Sequence, residues 1–302
     1  MSFSLNPSKP VHKAVRSAAR KQVQKAIKGL TGQAGLDVDE AAHDARKRCK
    51  KLRGLVRLVR DDLGKKAYRT ENAALRDAAR NLSQVRDAAV LSATLDGLVA
   101  RTADGPGVPA EAVAGLRALL AKDHRELHRN LEEGASVGEA VALLEQVAGR
   151  VPRWPLHDGG WGSLGAGMED TYRRGRDQMA AAYTASQGDE TEHFHQWRKQ
   201  VKYLRYQLGL VRAAWPGVLD AMEETADKLG ELLGEEHDLA VLADRATAER
   251  ATGDTTQRQL LELIARRRAE LRAQAEPIGR RLYADKPALF ARRLGRLWQV
   301  AA

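Results

Sequence analysis

The chain has 302 residues, 43% of them hydrophobic and 30% charged, with a formal net charge of +10. That length holds one large domain or two units of half the size. The basic excess points to an anionic partner, whereas aromatics at only 5% argue against recognition by base stacking. A single cysteine excludes a disulfide framework or a Cys-based metal cluster, and no apolar run reaches the length of a membrane span.

Strand signals are absent, and Pro and Gly punctuate long stretches rich in Ala, Leu, Arg and Glu. In chain order the pattern predicts helices over 9–30, 38–63, 66–101 and 109–132, with a short piece at 137–149. Residues 151–160 carry Pro152, Pro155, Gly159 and Gly160 and predict a linker. Helices follow over 161–186, 190–215, 217–250, 255–275 and 287–300. The first 36 residues contain no acid, as an organellar presequence would. Residues 11–30 nevertheless form a one-sided apolar helix with a counterpart at Met168–Tyr183, which makes them part of the fold.

The segment His43-x-x-Arg46-Lys47-x-x-Lys50-x-Leu52-Arg53 recurs, 152 residues on, as His195-x-x-Arg198-Lys199-x-x-Lys202-x-Leu204-Arg205. Two further matches keep the same order: Arg86-Asp87-Ala88-Ala89-Val90-Leu91 with His237-Asp238-Leu239-Ala240-Val241-Leu242, and Leu119–Leu127 with Leu263–Leu271. Three ordered matches imply duplication of a helical bundle. The expected architecture is therefore all-α: two tandem four-helix bundles over 9–150 and 161–302, related by a pseudo-twofold with a basic channel between them.

Within the first motif, Ala42, Ala45, Cys49, Leu52, Val56, Val59 and Leu63 step 3-4-3-4, the apolar seam of a helix; Phe194, Trp197, Val201, Leu204, Leu208, Val211 and Trp215 do the same. One position further round runs a basic lane of His43, Arg46, Lys50, Arg53, Arg57 and Arg60, matched by His195, Arg198, Lys202, Arg205 and Arg212. Arg57 has no cationic counterpart, because Gly209 stands there, so the lanes are expected to contribute unequally. A lane beside the seam places cation stems in the packing and their heads at a groove. The windows 43–60 and 195–212 hold thirteen Lys/Arg and one Asp, a net of +12, which leaves −2 for the rest of the chain. Like charges spaced three and four apart repel, so such a lane favours an anion lying along it.

Other readings of these residues lead elsewhere. A basic stripe is commonly a solvated surface, but two stripes in register beside the core seam favour binding. His43 and His195 can be helix-entry residues or ligand contacts; their recurrence as a pair favours contact. His124 and His128 lie four apart, as metal ligands do, but their matches are Arg268 and Arg272, so anion contact or surface exposure fits better. The dipeptide His-Asp at 43–44, 157–158 and 237–238 suggests a metal-dependent phosphohydrolase, yet the pair at 43–44 becomes His195-Gln196 and that at 237–238 becomes Arg86-Asp87. Cations crowd His43, and neither a phosphate-cradling Gly-rich loop nor a Ser-His-Asp pattern is present. Asp87 and Asp238 read as partners that orient a lane arginine, and Cys49 as a core residue.

The three motifs together resemble the CHAD family, the conserved histidine α-helical domains, over about residues 9 to 300. The resemblance implies two four-helix bundles around a basic channel, binding of inorganic polyphosphate, and association with polyphosphate granules. Relatives often carry a triphosphate-tunnel domain with a Glu-x-Glu-x-Lys strand; no such motif occurs in this sequence. The chain is accordingly expected to be a non-catalytic, cytoplasmic binding module with no cofactor, no bound metal and no membrane contact. Its candidate polyphosphate-binding residues are His43, Arg46, Lys47, Lys50, Arg53, Arg57, Arg60, His195, Arg198, Lys199, Lys202, Arg205, Arg212, His124, His128, Arg268 and Arg272. Other polyanions are secondary candidates as partners. Non-specific nucleic-acid binding is the alternative function, and the scarcity of aromatics and lack of a recognition-helix motif argue against sequence-specific readout.

Overall fold

A computed structural model describes residues 3–82, 84–101, 110–132, 135–186, 189–248 and 254–302. The described residues are helical throughout their regular structure, with no strand. Helix α1 (Val11–Leu30) ends where Thr31 caps it and Gly32 and Gly35 take positive φ. Asp37 then opens α2 (Val38–Leu58) by accepting a hydrogen bond from the Glu40 amide at 2.8 Å, with Asp39 and Glu40 in the first turn where the helix dipole favours acids.

The first lane from His43 to Arg57 sits on α2, which ends at Leu58 rather than running to 63, and Arg60 opens the next helix. Helix α3 (Arg60–Asn81) is broken near its start by Gly64 at φ 72°. The single helix expected over 66–101 is two: α3 ends at Asn81, and α4 (Gln84–Arg101) starts anew. Local propensity allows one helix here. The break lets Leu82 stay buried with α1–α3, while α4 leaves them to pack on the second half of the chain.

Helices α5 (Ala110–Glu132) and α6 (Ala135–Arg150) complete the first half. The expected linker is not a free tether. Val151–Arg153 forms a short 3-10 turn, Val151 and Trp154 are buried, and Arg16 Nη2 donates to the Trp154 carbonyl at 2.6 Å. The second half contains α7 (Gly162–Thr184), α8 (Glu190–Val211), a 3-10 turn Arg212–Ala214, α9 (Pro216–Ala248), α10 (Asp254–Leu282) and α11 (Pro287–Val300). Helix α10 outruns its expected end at 275 and continues through Pro277. Gly279 lies there against the Trp197 ring and Met179, so tertiary packing carries the helix past the proline.

Apolar side chains do not divide by half. The larger core joins α1–α3 and α6 to α7, α8 and α11, the first part of α9 and the last part of α10. The smaller core joins Leu95 and Leu98 of α4 and Leu116 and Leu120 of α5 to Leu239 and Leu242 of α9 and Leu260 and Ile264 of α10. Two helices from each half therefore build the second core. The long helices α9 and α10 bridge both.

Candidate functional site

The two repeated helices meet face to face. Gly54 of α2 lies so close to α8 that a Cβ would come 3.0 Å from the Tyr206 side chain, and Gln207 Nε2 donates to the Gly54 carbonyl at 3.3 Å. Gly167 lets α7 press on the end of α2, where a Cβ would overlap the Leu58 carbonyl oxygen. Gly54 and Tyr206 are matched positions of the sequence repeat. So are Lys50 and Lys202, and the Lys50 charge acts on Lys202 across this contact.

The seams are buried as their spacing predicts, with one exception. Trp215 is 46% exposed, because α8 stops at Val211 and the chain leaves the helical path before reaching it. The lane positions Arg46, Lys50, Arg53, Arg57, Arg60, His195, Arg198, Lys202, Arg205 and Arg212 are all half-buried, as is Lys199, whereas His43 and Lys47 are exposed.

At the crossing the lane arginines rest on tyrosines. The Arg57 guanidinium lies 4.2 Å from the Tyr203 ring centroid and 6.0 Å from that of Tyr68; Arg53 lies 5.7 Å from Tyr203 and donates to Asn72 Oδ1 at 3.1 Å. These contacts hold the cations in position while leaving much of their charge uncompensated. The buried Nε atoms of Arg57 and Arg205 have no hydrogen-bond partner. The low aromatic content bears on base recognition and gives no sign of these platforms, although Tyr203 lies inside the repeated motif.

Acids meet the lanes at their C-terminal ends and at one inner position. Arg60 Nη1 meets Asp170 of α7 at 2.5 Å, Arg212 meets Asp220 of α9 at 2.6 Å, and Arg205 is paired with Asp227. At Gly209, the gap in the second lane, the Glu223 carboxylate lies 2.9 Å from where a Cβ would be. Arg198 lies 3.9 Å from Asp238, the orienting role read for that acid from the sequence. The side chains of Arg86, Asp87 and His128 lie outside the described residues.

Arg268 and Arg272 are engaged differently from the lane. Both clasp Glu236, a carboxylate only 2% exposed, each with an Nη2 contact of 2.8 Å. Arg268 also reaches Thr191, and Arg272 reaches Glu190 and lies over the Phe194 ring. They brace α10 against α8 and α9. His43 and His124 instead line an open cavity of 810 Å³ with Lys25, Lys28 and Arg46. In the second half the positions matching His43 and His124 are His195 and Arg268, and Arg268 belongs to the Glu236 clasp; the position matching Glu236 is Val85, so the first half lacks that acid.

His195 faces His237, which is not among the candidate residues that the sequence pattern marks. Its Nδ1 lies 3.1 Å from Nδ1 of His237, with the rings 4.3 Å apart. Burial, then Arg198, His195, Lys202 and Lys199, push the His237 pKa down to about 3, and burial with Lys199 lowers that of His195. Burial, then Arg198 and Lys50, bring Lys202 down to about 7. Burial raises Cys49 to about 12, so its thiol stays protonated in the core. The only sequence signal for His237 was its place in a repeated motif where the partner is Arg86.

The His-Asp dipeptides do not assemble a metal centre. Asp44 is held by Arg48 at 2.5 Å, Asp238 lies against Arg198, and Asp158 lies 3.7 Å from His12. Among the described residues no group of three or more His, Cys, Asp or Glu side chains is arranged to hold a metal ion. None of the described helices is long and apolar enough to cross a membrane.

The described residues form an all-α fold whose two repeated helices, α2 and α8, meet with half-buried cations along both. The chain belongs to the CHAD family: the CHAD domain matches residues 14–247. Among solved structures it is similar to PptA from Streptomyces chartreusis, with 18% identity, a TM-score of 0.67, and coverage of 92% of this chain and 100% of that one. No curated protein matches the sequence.

Proposed function

We propose that this protein binds inorganic polyphosphate along its two cation lanes and does not turn it over. Family membership links the chain to polyphosphate-related binding. The observation that carries the finer reading is the crossing, where Lys50, Arg53 and Arg57 from one lane and Lys202 and Arg205 from the other lie together, half-buried, with buried Nε atoms of Arg57 and Arg205 lacking partners. A linear polyanion matches such a row because every unit carries charge, and forked guanidinium donors suit phosphate oxygens. A lane from 43 to 60 spans about 25 Å, long enough to follow several units.

The reading as a binding module draws support from Asp170, Asp220, Asp227 and Asp238, carboxylates beside the lanes that are each paired with an arginine. Within a cell this activity fits a cytoplasmic protein that associates with polyphosphate granules. Competition of long-chain polyphosphate against single- and double-stranded DNA at fixed salt tests the assignment. Polyphosphate should displace either DNA at far lower phosphate-equivalent concentration, and incubation with Mg²⁺ should release no orthophosphate. Preference for DNA would establish the nucleic-acid alternative, and steady phosphate release would make the protein an enzyme.

A further inference from the structure

The second lane brings basic groups close together beside further cations. His195 and His237 approach through their Nδ1 atoms at 3.1 Å. A hydrogen bond there needs one donor and one acceptor, so at least one ring is neutral. Lys202 lies two turns further along the same stripe of α8, without an ion pair among the described residues. It lines a 700 Å³ cleft between α4, α8 and α9 with Arg205 and Asp238.

Few nearby charges can compensate these groups. On α8 the imidazole pair faces Arg198, Lys199, Lys202 and the single acid Glu192. From α2, Lys50 faces Lys202. From α9, Asp238 is shared with Arg198, and Asp227 is taken by Arg205. Glu235 of α9 is held by Arg267 of α10 at 2.9 Å and lies 4.0 Å from Arg101 of α4, while exposed Glu231 borders the cleft. Arg268 of α10 is held by Glu236.

We propose that Lys202 and the His195–His237 pair form a proton-accepting subsite in which a phosphate group settles as the protein takes up a proton, so that polyphosphate binding strengthens as the pH falls. This rests on the reading given above. An anion placed among these groups stabilises their charged forms and raises each pKa. For Lys202 the free value is about 7, so the linkage operates above that pH: binding recruits a proton and weakens as pH rises from about 7 towards the ordinary lysine range. Below it Lys202 is charged whether or not ligand is present. Linkage there falls to the histidines, whose lowered values place it on the acid side of neutrality.

Isothermal titration of the full chain with long-chain polyphosphate at pH 8, in Tris and in HEPES, tests the subsite. Long chains make titrating end groups scarce. These buffers have different ionisation enthalpies, so an uptake approaching one proton per bound segment should make the observed heats differ. Affinity should fall several-fold between pH 7.5 and 8.5, below the ceiling of about tenfold per pH unit for one linked proton. Lys202→Arg, which stays charged, should still bind, with heats equal in both buffers and a flat pH dependence over that range. Lys13→Arg, at an exposed position of α1, should leave the uptake intact. Equal heats in the wild type while binding is evident overturn the proposal, as does a Lys202→Arg protein that still takes up the proton. Absence of polyphosphate binding at every pH would instead reject the functional reading on which it rests.

Discussion

Replacing Arg53 and Arg57 together by glutamine removes two forked cations from the crossing with little change in bulk. A hydrogen bond to a charged group contributes about 1.5–3 kcal/mol, so losing two predicts a loss of about 3–6 kcal/mol, or roughly a hundredfold to ten-thousandfold in affinity. The salt dependence should change as well. Each phosphate neutralised on a single-stranded polyanion contributes about 0.7 to the slope of log affinity against log salt, so the slope should become shallower by about 1.4. Fold stability should change far less. Contacts to Tyr203 and Tyr68 at 4.2–6.0 Å and the Asn72 bond are lost. Each cation–π contact contributes about 0.5–1 kcal/mol, and relief of repulsion between cations four apart offsets some tenths. Fluorescence anisotropy with labelled polyphosphate over a salt series, alongside a thermal scan, measures both effects. An affinity within twofold of wild type with an unchanged slope would refute the idea that these arginines meet the ligand.

Glu236→Ala leaves Arg268 and Arg272 facing each other without their shared carboxylate, and should destabilise the protein by about 3–5 kcal/mol in chemical denaturation. A loss under 1 kcal/mol would mean that the clasp is not a brace. Polyphosphate at a hundred times its dissociation constant should stabilise the fold by about 2.7 kcal/mol and raise the melting temperature by about 5 °C. Confirmed binding without a thermal shift would contradict the view that the lanes' repulsion is relieved by the ligand.

The features most legible in the sequence were those with a period. Seam and lane follow from 3-4 spacing, so the helices, their buried faces and the half-buried cations were readable, and Pro287 placed the start of α11 correctly. Features set by the neighbours of a segment were not. Nothing local ends a helix at Asn81; the break arises because α4 finds its apolar partners on α9. Pro277 reads as a helix end until Gly279 is seen packed against Trp197. Trp215 continues the seam in spacing, but its helix has already stopped. The site followed the same division. The lane was visible as a row of cations, but which acids meet which arginines depends on how α7 and α9 lie against it. Asp238 could be assigned because it recurs with its motif; Asp170, Asp220 and Asp227 had no such marker.

The fold has to hold a row of like charges beside its core when no ligand is present, and it does so by three different means. At the C-terminal ends carboxylates neutralise Arg60 and Arg212, and Asp227 neutralises Arg205 within the second lane. On the first lane's side of the crossing Arg53 and Arg57 lean instead on the face of Tyr203, which attracts a cation while carrying no net charge and does not compete with an anionic ligand. Where His195, His237 and Lys202 crowd together, the remaining means is to keep protons off. Because the unfolded chain holds a proton on Lys202 more tightly than the fold does, the ligand-free protein gives up stability from this residue as pH falls from the ordinary lysine range to about 7. A phosphate in the subsite removes the reason for that loss. Acids therefore take the C-terminal ends of the lanes and Arg205, a tyrosine face takes Arg53 and Arg57, and the crowded basic groups lie in the second lane beside the crossing. That order leaves the first lane's side of the crossing open to an anion while the protein is empty.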